Sequence, residues 1–257
     1  MKLKKILTTL GLAILLGGMA SAQAADLRIG VEGAYPPFSW KESDGTLKGF
    51  DIEIAEALCA EMGRKCVLVE QDWDGMIPAL LAKKYDAIVA SMSITEERKK
   101  RVNFSDKYYN TPAKFVAKNG SDLQITKAGL KGKRIGLQRG TTHQCFMEKM
   151  FPDAELVLYA TQEEVFQDLA IGRIDANFSD SIAADDGFLK TDAGKDFAFV
   201  GGDMHDMECH GEGAGIAVRK GDDDLRMEFN KAIKALRDKG VYQKINAKYF
   251  DFDIFGG

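Results

Sequence analysis

The chain has 257 residues with 39 acidic and 35 basic side chains, which give a formal net charge of −4 at pH 7. Proteins that bind nucleic acids usually carry a basic patch and a positive balance, so no nucleic-acid partner is expected. The length is large for one compact core and fits two lobes.

The N-terminal segment, residues 1–24, has the pattern of a signal peptide that is removed on export. Three lysines form a basic start, residues 6–20 are an apolar run, and Ala-Gln-Ala at 22–24 supplies the small residues of a cleavage site. The run is too short for a stable membrane span, and no cysteine follows the cut that could carry a lipid anchor. Cleavage would change the formal charge from −4 to −7 by removing three lysines. We therefore expect a soluble, exported protein.

The remaining chain alternates short β-runs with amphipathic helical stretches, which predicts an α/β fold with largely parallel sheets. The first part predicts strands at 27–31, 66–70 and 87–90, a hairpin over 38–50, and helices at 51–62 and 73–82. The second part predicts strands at 114–118, 133–137, 155–159, 176–178 and 197–201, with helices at 142–150 and 162–170. A strand at 213–219 and a helix at 222–239 follow.

This order of elements divides into two lobes, each a mostly parallel sheet flanked by helices. Residues 25–110 and 213–257 are expected to form lobe 1, and residues 114–204 lobe 2. The chain would cross between the lobes at 111–113 and return at 205–212. Ligands of such folds bind at the carboxyl ends of the strands, so the cleft between the lobes is the expected site.

Four cysteines in an exported chain favour disulfides. A bridge between Cys59 and Cys66 would join the end of a predicted helix to the start of a strand. The pairing of Cys145 with Cys209 stays open, and buried free thiols are the alternative for both pairs.

Catalytic templates are absent from the sequence. It contains no Gly-x-Ser-x-Gly elbow, no P-loop, no Gly-x-Gly-x-x-Gly after a strand and no His-Glu-x-x-His helix. His205 and His210 lie in an acidic stretch that could bind a metal, but the spacing fits no structural zinc template and a solvated crossing explains the polarity. No metal, cofactor or catalytic residue is expected.

Polar side chains and one aromatic follow several predicted strands, namely Glu32, Tyr35, Ser91, Ser93, Arg98, Thr141, Thr142 and Asp180. An arginine guanidinium binds a carboxylate through two hydrogen bonds, and a helix N-terminus complements the same charge. A carboxylate such as Asp180 can hold an ammonium group. Each residue also has a structural alternative, because Arg98 could lie on a solvated helix face and Thr142 or Asp180 could cap a helix. As a set, they predict a site for a zwitterion.

Motifs along the whole chain carry a resemblance to a known family. They are Gly49-Phe-Asp51-Ile, Trp73-Asp-Gly-Met-Ile-Pro78, Lys84-Tyr-Asp-Ala-Ile88, Ser91-Met-Ser-Ile-Thr-Glu-Glu-Arg98, Phe104-Ser-Asp, Leu130-Lys-Gly-Lys-Arg-Ile-Gly136, Gly172-Arg-Ile-Asp-Ala176 and Lys248-Tyr-Phe-Asp-Phe-Asp-Ile-Phe-Gly256. The chain resembles the periplasmic amino-acid-binding proteins of polar amino-acid ABC transporters, solute-binding protein family 3. The lysine/arginine/ornithine-, histidine- and opine-binding members are the most similar.

The resemblance implies a role for each end of an amino acid. Arg98 matches the arginine that grips the ligand α-carboxylate, helped by Ser93 and Thr142. Asp180 matches the carboxylate that holds the α-ammonium, with a contribution from the region of Ser91.

The side chain of the ligand is implied to lie between Tyr35 and Trp73, which match two aromatics that sandwich it. Met92 and Thr141 belong to the same binding segments. The family pattern also implies the disulfide between Cys59 and Cys66.

Two acids point to a cationic ligand. Glu32 stands where relatives with cationic ligands carry an acidic residue, and Asp51 is a second acid nearby in the pattern. An unpaired charge facing an apolar ligand is costly to desolvate, so arginine is the first choice, followed by lysine or ornithine. Glu32 is longer than the usual aspartate, Ala90 replaces a serine, and His143 occupies a glutamine position at the pocket rim. Ala90 and His143 resemble the opine-binding branch, so octopine, nopaline and histidine are alternatives.

The family implies a monomer that closes around its ligand and is recognised by the membrane permease of an ABC importer. A periplasmic dehydratase of the cyclohexadienyl type is the enzymatic alternative, with Glu32 or His143 as acid or base. A sensor ectodomain, which would need a membrane segment after Gly257 or a membrane partner, is a third reading.

Overall fold

The computed structural model describes residues 26–256, so the signal peptide expected at 1–24 lies outside the described residues. The strands are β1 (Leu27–Val31), β2 (Ala34–Tyr35), β3 (Ser39–Lys41), β4 (Leu47–Lys48), β5 (Cys66–Glu70), β6 (Ala87–Ile88), β7 (Val102–Tyr109), β8 (Ala113–Lys118), β9 (Arg134–Gln138), β10 (Glu155–Tyr159), β11 (Ala176–Asp180), β12 (Phe197–Met204) and β13 (Ala214–Arg219).

The helices are α1 (Phe50–Glu61), α2 (Met76–Leu81), α3 (Glu96–Lys99), α4 (Lys127–Leu130), α5 (Thr142–Met150), α6 (Gln162–Ala170), α7 (Ser181–Ala184), α8 (Met207–His210), α9 (Asp223–Asp238) and α10 (Val241–Tyr249). Within residues 26–256, no helix combines the length and hydrophobicity that crossing a bilayer requires.

The first sheet is the centre of lobe 1 and has the strand order β5-β1-β6-β13-β7. β1 pairs in parallel with β5 and β6, whereas β13 is antiparallel to both β6 and β7. Four of its five strands therefore point the same way, as the alternation of strands and helices predicted. α1 and α9 cover one face, where Leu58, Phe229 and Leu236 are buried with Ile29 and Ile216 in one core.

The second sheet is the centre of lobe 2 and repeats this plan in the order β10-β9-β11-β8-β12. β9 is parallel to β10 and β11, and β8 is antiparallel to β11 and β12. The reversed strand in each sheet is the first one that the chain forms after crossing from the other lobe. The carboxyl ends of the parallel strands in both sheets border one cleft.

Two passages connect the lobes. The chain leaves the first sheet at Tyr109 and enters the second at Ala113, and it leaves the second sheet at Met204 and re-enters the first at Ala214. The return passage contains α8. The amide of Asn110 donates to the carbonyl of Ile254 at 2.9 Å, which holds the first passage against the C-terminal segment.

The clearest differences from the sequence prediction concern three of the longer elements, and the short elements β2, α3, α4, α7 and α8 were not predicted either. The helix predicted over 73–82 is a 3₁₀ turn at Trp73–Gly75 followed by α2. Pro78 explains the later start, because it then lies in the first turn of α2, where its missing N–H needs no partner. β7 and α10 were not predicted, and in β7 the exposed Asp106 beside buried Ser105 interrupts the apolar alternation.

Both cysteine pairs form disulfides, Cys59 with Cys66 and Cys145 with Cys209. The alternative of buried free thiols is therefore wrong for both pairs. The first bridge joins α1 to β5 in lobe 1. The second joins α5 of lobe 2 to α8 in the return passage.

We expect the second disulfide to stabilise the protein more than the first. It spans 64 residues and the first spans only seven, so it removes more chain entropy from the unfolded state. Loop-closure entropy gives roughly 4 kcal/mol for the long loop and roughly 2.5 kcal/mol for the short one. Urea unfolding of the C145S/C209S and C59S/C66S variants measures both losses, and an equal or reversed order would contradict this expectation.

Candidate functional site

A cavity of about 640 Å³, its open mouth included, lies in the cleft between the lobes. It is bordered by the carboxyl ends of β1, β6, β9 and β11. Ten of the predicted site residues line it: Glu32, Tyr35, Trp73, Ser91, Ser93, Arg98, Thr141, Thr142, His143 and Asp180. Ala90 lines it as well. The structure therefore brings together residues that are separated by up to about 150 positions in the sequence.

Arg98 supplies the positive charge of the cavity. It lies on the short helix α3, which Thr95 caps by accepting a hydrogen bond from the Arg98 amide at 3.2 Å. Its guanidinium donates to the carbonyl of Ser93 at 3.0 Å and lies 5.1 Å from the centre of the Trp73 ring. Burial lowers the pKa of Arg98 to about 10, which leaves it charged at neutral pH. Among the described residues, no carboxylate lies within 4.0 Å of this guanidinium.

Glu32 supplies a negative charge from lobe 1. It follows β1 and is 6% exposed. Its Oε1 accepts a hydrogen bond of 2.6 Å from the side-chain amide of Gln138, at the end of β9 in lobe 2. Burial raises the pKa of Glu32 to about 7 despite this hydrogen bond. No lysine or arginine within the described part of the chain forms an ion pair with it.

Asp180 supplies a second negative charge, from lobe 2. Its Oδ1 accepts from the amides of Ile182 and Ala183 at 2.8 and 3.1 Å, so it caps α7, as the structural alternative proposed. Thr111, in the first passage, donates its hydroxyl to Oδ2. Burial raises the pKa of Asp180, although the hydrogen bonds from these three partners act in the opposite direction. The carboxylate still lines the cavity, so the capping role and exposure to the cleft coexist.

The nine-residue helix α5 begins at the wall of the cavity. Thr141 is its N-cap and Thr142 its first residue, and both line the cavity. Amides at this end of a helix attract negative charge. His143 follows, and burial together with nearby Arg98 and His210 lowers its pKa to about 3, so the imidazole is neutral.

The lobes touch one another around the cavity. Trp73 Nε1 of lobe 1 donates to the carbonyl of Gly140 of lobe 2 at 3.3 Å. Nη2 of Arg98 lies 3.5 Å from the same carbonyl oxygen. At the rim, Nε of Arg139 in lobe 2 donates to Asp74 in lobe 1 at 2.9 Å. Side chains from both lobes therefore form the walls together.

Asp51 does not line the cavity, contrary to its expected place beside a ligand side chain. It is completely buried behind the wall, where Ser91 and Tyr108 donate their hydroxyls to its two oxygens at 2.8 Å each. Ser91 has a positive φ of 53°, a strained conformation for a residue with a side chain. The amide of Ser91 also donates to the Tyr108 hydroxyl at 3.0 Å, so both the backbone and the side chain of Ser91 are hydrogen-bonded in this conformation. Burial raises the pKa of Asp51 to about 7.

Met92 also lies outside the cavity, although it was expected in the site. It is 1% exposed and packs in the core with Met76 and Tyr85. Ser91 and Ser93, on either side of it in the chain, line the cavity instead.

The histidines of the acidic stretch do not form a metal site in the described residues, where no group of three or more ligating side chains converges. Nδ1 of His210 accepts a hydrogen bond of 3.1 Å from the amide of Asp206, and the ring lines the cavity. Sequence reasoning missed His210 as a cavity residue, and it missed Gln138. Gln138 directly follows a predicted strand, so the rule that selected Glu32 would have found it.

The charges of the cavity are not balanced from within. One guanidinium and two carboxylates line it, and none of the three has an oppositely charged partner among residues 26–256. Buried charges are costly unless they are paired. A solute with one negative and two positive groups would complement this set of side chains.

Comparison with known proteins places relatives of this chain in one family. Residues 27–252 match the sequence profile of the bacterial extracellular solute-binding proteins, family 3. The L-arginine-binding protein of Pseudomonas aeruginosa is 54% identical over 237 residues, which cover 91% of this chain and 92% of that protein. The lysine/arginine/ornithine-binding periplasmic protein of Escherichia coli is 42% identical, over 99% of this chain and 100% of that protein.

Solved structures with a similar fold include another periplasmic binding protein. A solved structure of a Salmonella typhimurium periplasmic binding protein with high arginine specificity matches with a TM-score of 0.82 and 35% identity. The match covers 88% of this chain and all of that chain. The two-lobed periplasmic binding fold is therefore shared along nearly the whole described region.

We expect Glu32 to make stability depend on pH. Burial raises its pKa from 4.5 to about 7 in the folded state, so the folded protein binds an extra proton between these values. This contribution to the free energy of unfolding grows as the pH falls from about 7 towards about 4.5 and disappears as the pH rises through 7.

The E32Q variant lacks this titration. The unfolding free energy of the wild type minus that of E32Q should therefore rise between about pH 8 and about pH 5 in urea titrations. Glu56→Gln, at an exposed carboxyl on α1, is the control. A difference between wild type and E32Q that stays constant over this range would contradict the expectation.

Proposed function

The chain belongs to the bacterial extracellular solute-binding proteins, family 3, and we propose that it is the periplasmic substrate-binding component of an ABC importer for a cationic L-amino acid. Arginine is the first ligand, followed by lysine and ornithine. The observation that carries this proposal is the unbalanced charge of the cavity, one cation and two anions on separate walls. A basic amino acid carries the inverse set, one carboxylate and two cationic groups.

The positions of these groups suggest how the ligand lies. Its α-carboxylate binds Arg98, Ser93 and the amide-rich start of α5 at Thr142, because guanidinium and helix N-terminus both favour a carboxylate. Its α-ammonium binds Asp180 near Ser91.

The rest of the ligand extends along lobe 1. The aliphatic stem lies against Tyr35 and Trp73, which line the cavity on that side. The distal cation binds Glu32, whose carboxylate gains a charged partner.

Binding favours closure of the lobes, because the ligand needs groups from both. Arg98 and Glu32 belong to lobe 1, and Asp180 and Thr142 to lobe 2. A ligand shifts a conformational equilibrium by its difference in affinity for the two states, so complete contacts favour the closed form. The membrane permease of the importer then recognises the closed, loaded monomer. The passages at 110–112 and 205–213 accommodate the motion.

Export supports the same role. The pattern of residues 1–24 is that of a cleaved signal peptide, and the curated relatives include a periplasmic protein. We propose that the chain is not an enzyme. Two unpaired carboxylates in the cavity disfavour the anionic substrates of a cyclohexadienyl-type dehydratase.

An opine is the second candidate ligand. Because Nδ1 of His210 accepts the Asp206 amide, the proton of the neutral ring is on Nε2, which is buried and has no partner among the described residues. Because His210 lines the cavity, a small tilt of its ring would bring this donor to the extra carboxylate of octopine or nopaline.

Binding of a ligand panel to protein stripped of bound solutes tests the proposal. Isothermal titration calorimetry with arginine, lysine, ornithine, histidine, octopine and nopaline should rank arginine first. Citrulline, which has the shape of arginine without its charge, should bind about 10- to 100-fold more weakly, since a hydrogen bond to a charged group is lost. Strongest binding by an opine would replace the proposed ligand, and binding by none of the panel would refute the ligand class.

Arg98→Ala should lose most of the affinity for arginine. Truncating one member of a buried charge pair costs roughly 2–5 kcal/mol of binding free energy. Arg101→Ala, an exposed arginine three residues further on, is the matched control and should bind as the wild type does. Calorimetry measures the affinities, and circular dichroism verifies folding. Affinity within about threefold of the wild type in folded R98A would exclude Arg98 as the carboxylate site.

A further inference from the structure

We propose that Gln138 determines specificity for a guanidinium over an ammonium group. Its side-chain carbonyl oxygen and the free oxygen of Glu32 form a pair of acceptors that the two lobes supply jointly. This inference rests on the proposed function and deepens it, because it separates arginine from the other basic amino acids.

The orientation of the Gln138 amide is fixed by its neighbours. Nε2 donates to Oε1 of Glu32 at 2.6 Å and to the carbonyl oxygen of Ala160 at 3.2 Å. The carbonyl of Ala160 can only accept a hydrogen bond, so the nitrogen must face it, and both hydrogens of the nitrogen are used. Oε1 of Gln138 must therefore point away from these two partners.

This Oε1 is open to the cavity. Gln138 lines the cavity although it is only 3% exposed. Among residues 26–256 no group donates to its Oε1, and this atom is not among the sealed polar atoms without a partner. The same holds for Oε2 of Glu32, the carboxylate oxygen that Gln138 does not use. Oε1 of Gln138 and Oε2 of Glu32 are thus two acceptors without donors, on either side of the Gln138–Glu32 hydrogen bond that joins the lobes.

The fold makes this pairing by placing equivalent positions opposite each other. Glu32 follows β1 and Gln138 ends β9, and each of these strands is second in its sheet. The acceptor pair is complete only when the lobes approach, since each lobe supplies one member.

The chemistry of the two cations differs at this pair. A guanidinium is planar and has five N–H donors in a fixed fork, so neighbouring nitrogens can donate to two adjacent acceptors. An ammonium is a compact charge that is satisfied by the carboxylate alone and gains less from a neutral carbonyl. Gln138 therefore contributes more to arginine binding than to lysine binding.

The test compares arginine and lysine on Gln138→Leu. Loss of the carbonyl should weaken arginine binding by about 10- to 100-fold, the scale of one hydrogen bond to a charged group, and lysine binding by less than about threefold. The dissociation constant for lysine divided by that for arginine should then fall at least about threefold. The lost contact to Glu32 affects both cations and cancels in this ratio.

Two further variants keep the test decisive. Gln138→Met retains the length and flexibility of the side chain without its carbonyl, and it replaces the leucine variant if that one does not fold. Gln167→Leu, at an exposed position on α6 of the same lobe, is the control. Calorimetry on each variant gives the two affinities.

The outcomes separate this inference from the proposed function. An equal loss for arginine and lysine would mean that Gln138 only joins the lobes, and it would overturn the inference. An unchanged ratio with full affinity would also overturn it. In both cases the proposed function stands, because the wild type binds arginine. Failure of the wild type to bind either amino acid would overturn the proposed function, and the inference with it.

Discussion

Three charged groups share one cavity without neutralising each other, and the architecture is arranged to keep them apart. Each is held by neutral partners. The carbonyl of Ser93 and the ring of Trp73 hold Arg98, helix amides hold Asp180, and the Gln138 amide holds Glu32. Burial without a counter-charge raises the pKa of both carboxylates and lowers that of the guanidinium. The charges of the cavity therefore stay unpaired until a solute with the opposite charges binds, and a solute without those charges binds less well.

Two sheets of the same plan make this arrangement possible. In each, four strands run one way and the carboxyl ends of the parallel strands face the same cleft. Polar side chains at those ends converge although they are distant in the sequence. Glu32 and Gln138 show the symmetry best, since each stands at the end of the second strand of its own sheet. Neither lobe contains a complete site, so the cavity is a property of the pair.

The sequence predicted the fold well where a local pattern carried the information. The short β-run of β1 and the amphipathic patterns of α5 and α6 predicted these elements with the bounds that they have in the structure. β7 was missed because polar residues interrupt its pattern and its partner β13 lies about 100 residues away. Asp51 and Met92 were misplaced for a similar reason: adjacency in a motif does not say which side of the backbone a side chain takes. The Glu32–Gln138 hydrogen bond joins different lobes, which only the tertiary structure brings together.

Under the proposed closure of the lobes, the disulfide between Cys145 and Cys209 also limits where the return passage can bend. It fastens α8 to α5, so the first part of the return passage moves as a piece of lobe 2. In the return passage, the segment from Gly211 to Gly213 then lies between the attachments to the two lobes, and both glycines have positive φ. Its end is attached to lobe 1, where the carbonyl of Gly213 accepts a hydrogen bond from the amide of Ile94 at 2.8 Å. Gly211 lies so close to the carbonyl of Ile94 that a Cβ would stand 1.9 Å from its oxygen. The segment of the return passage that can bend is therefore short only while this disulfide is intact, as it is in an oxidising compartment. In a reducing cytoplasm the disulfide would be lost, and a longer part of the return passage, residues 205–213, could then change its backbone angles.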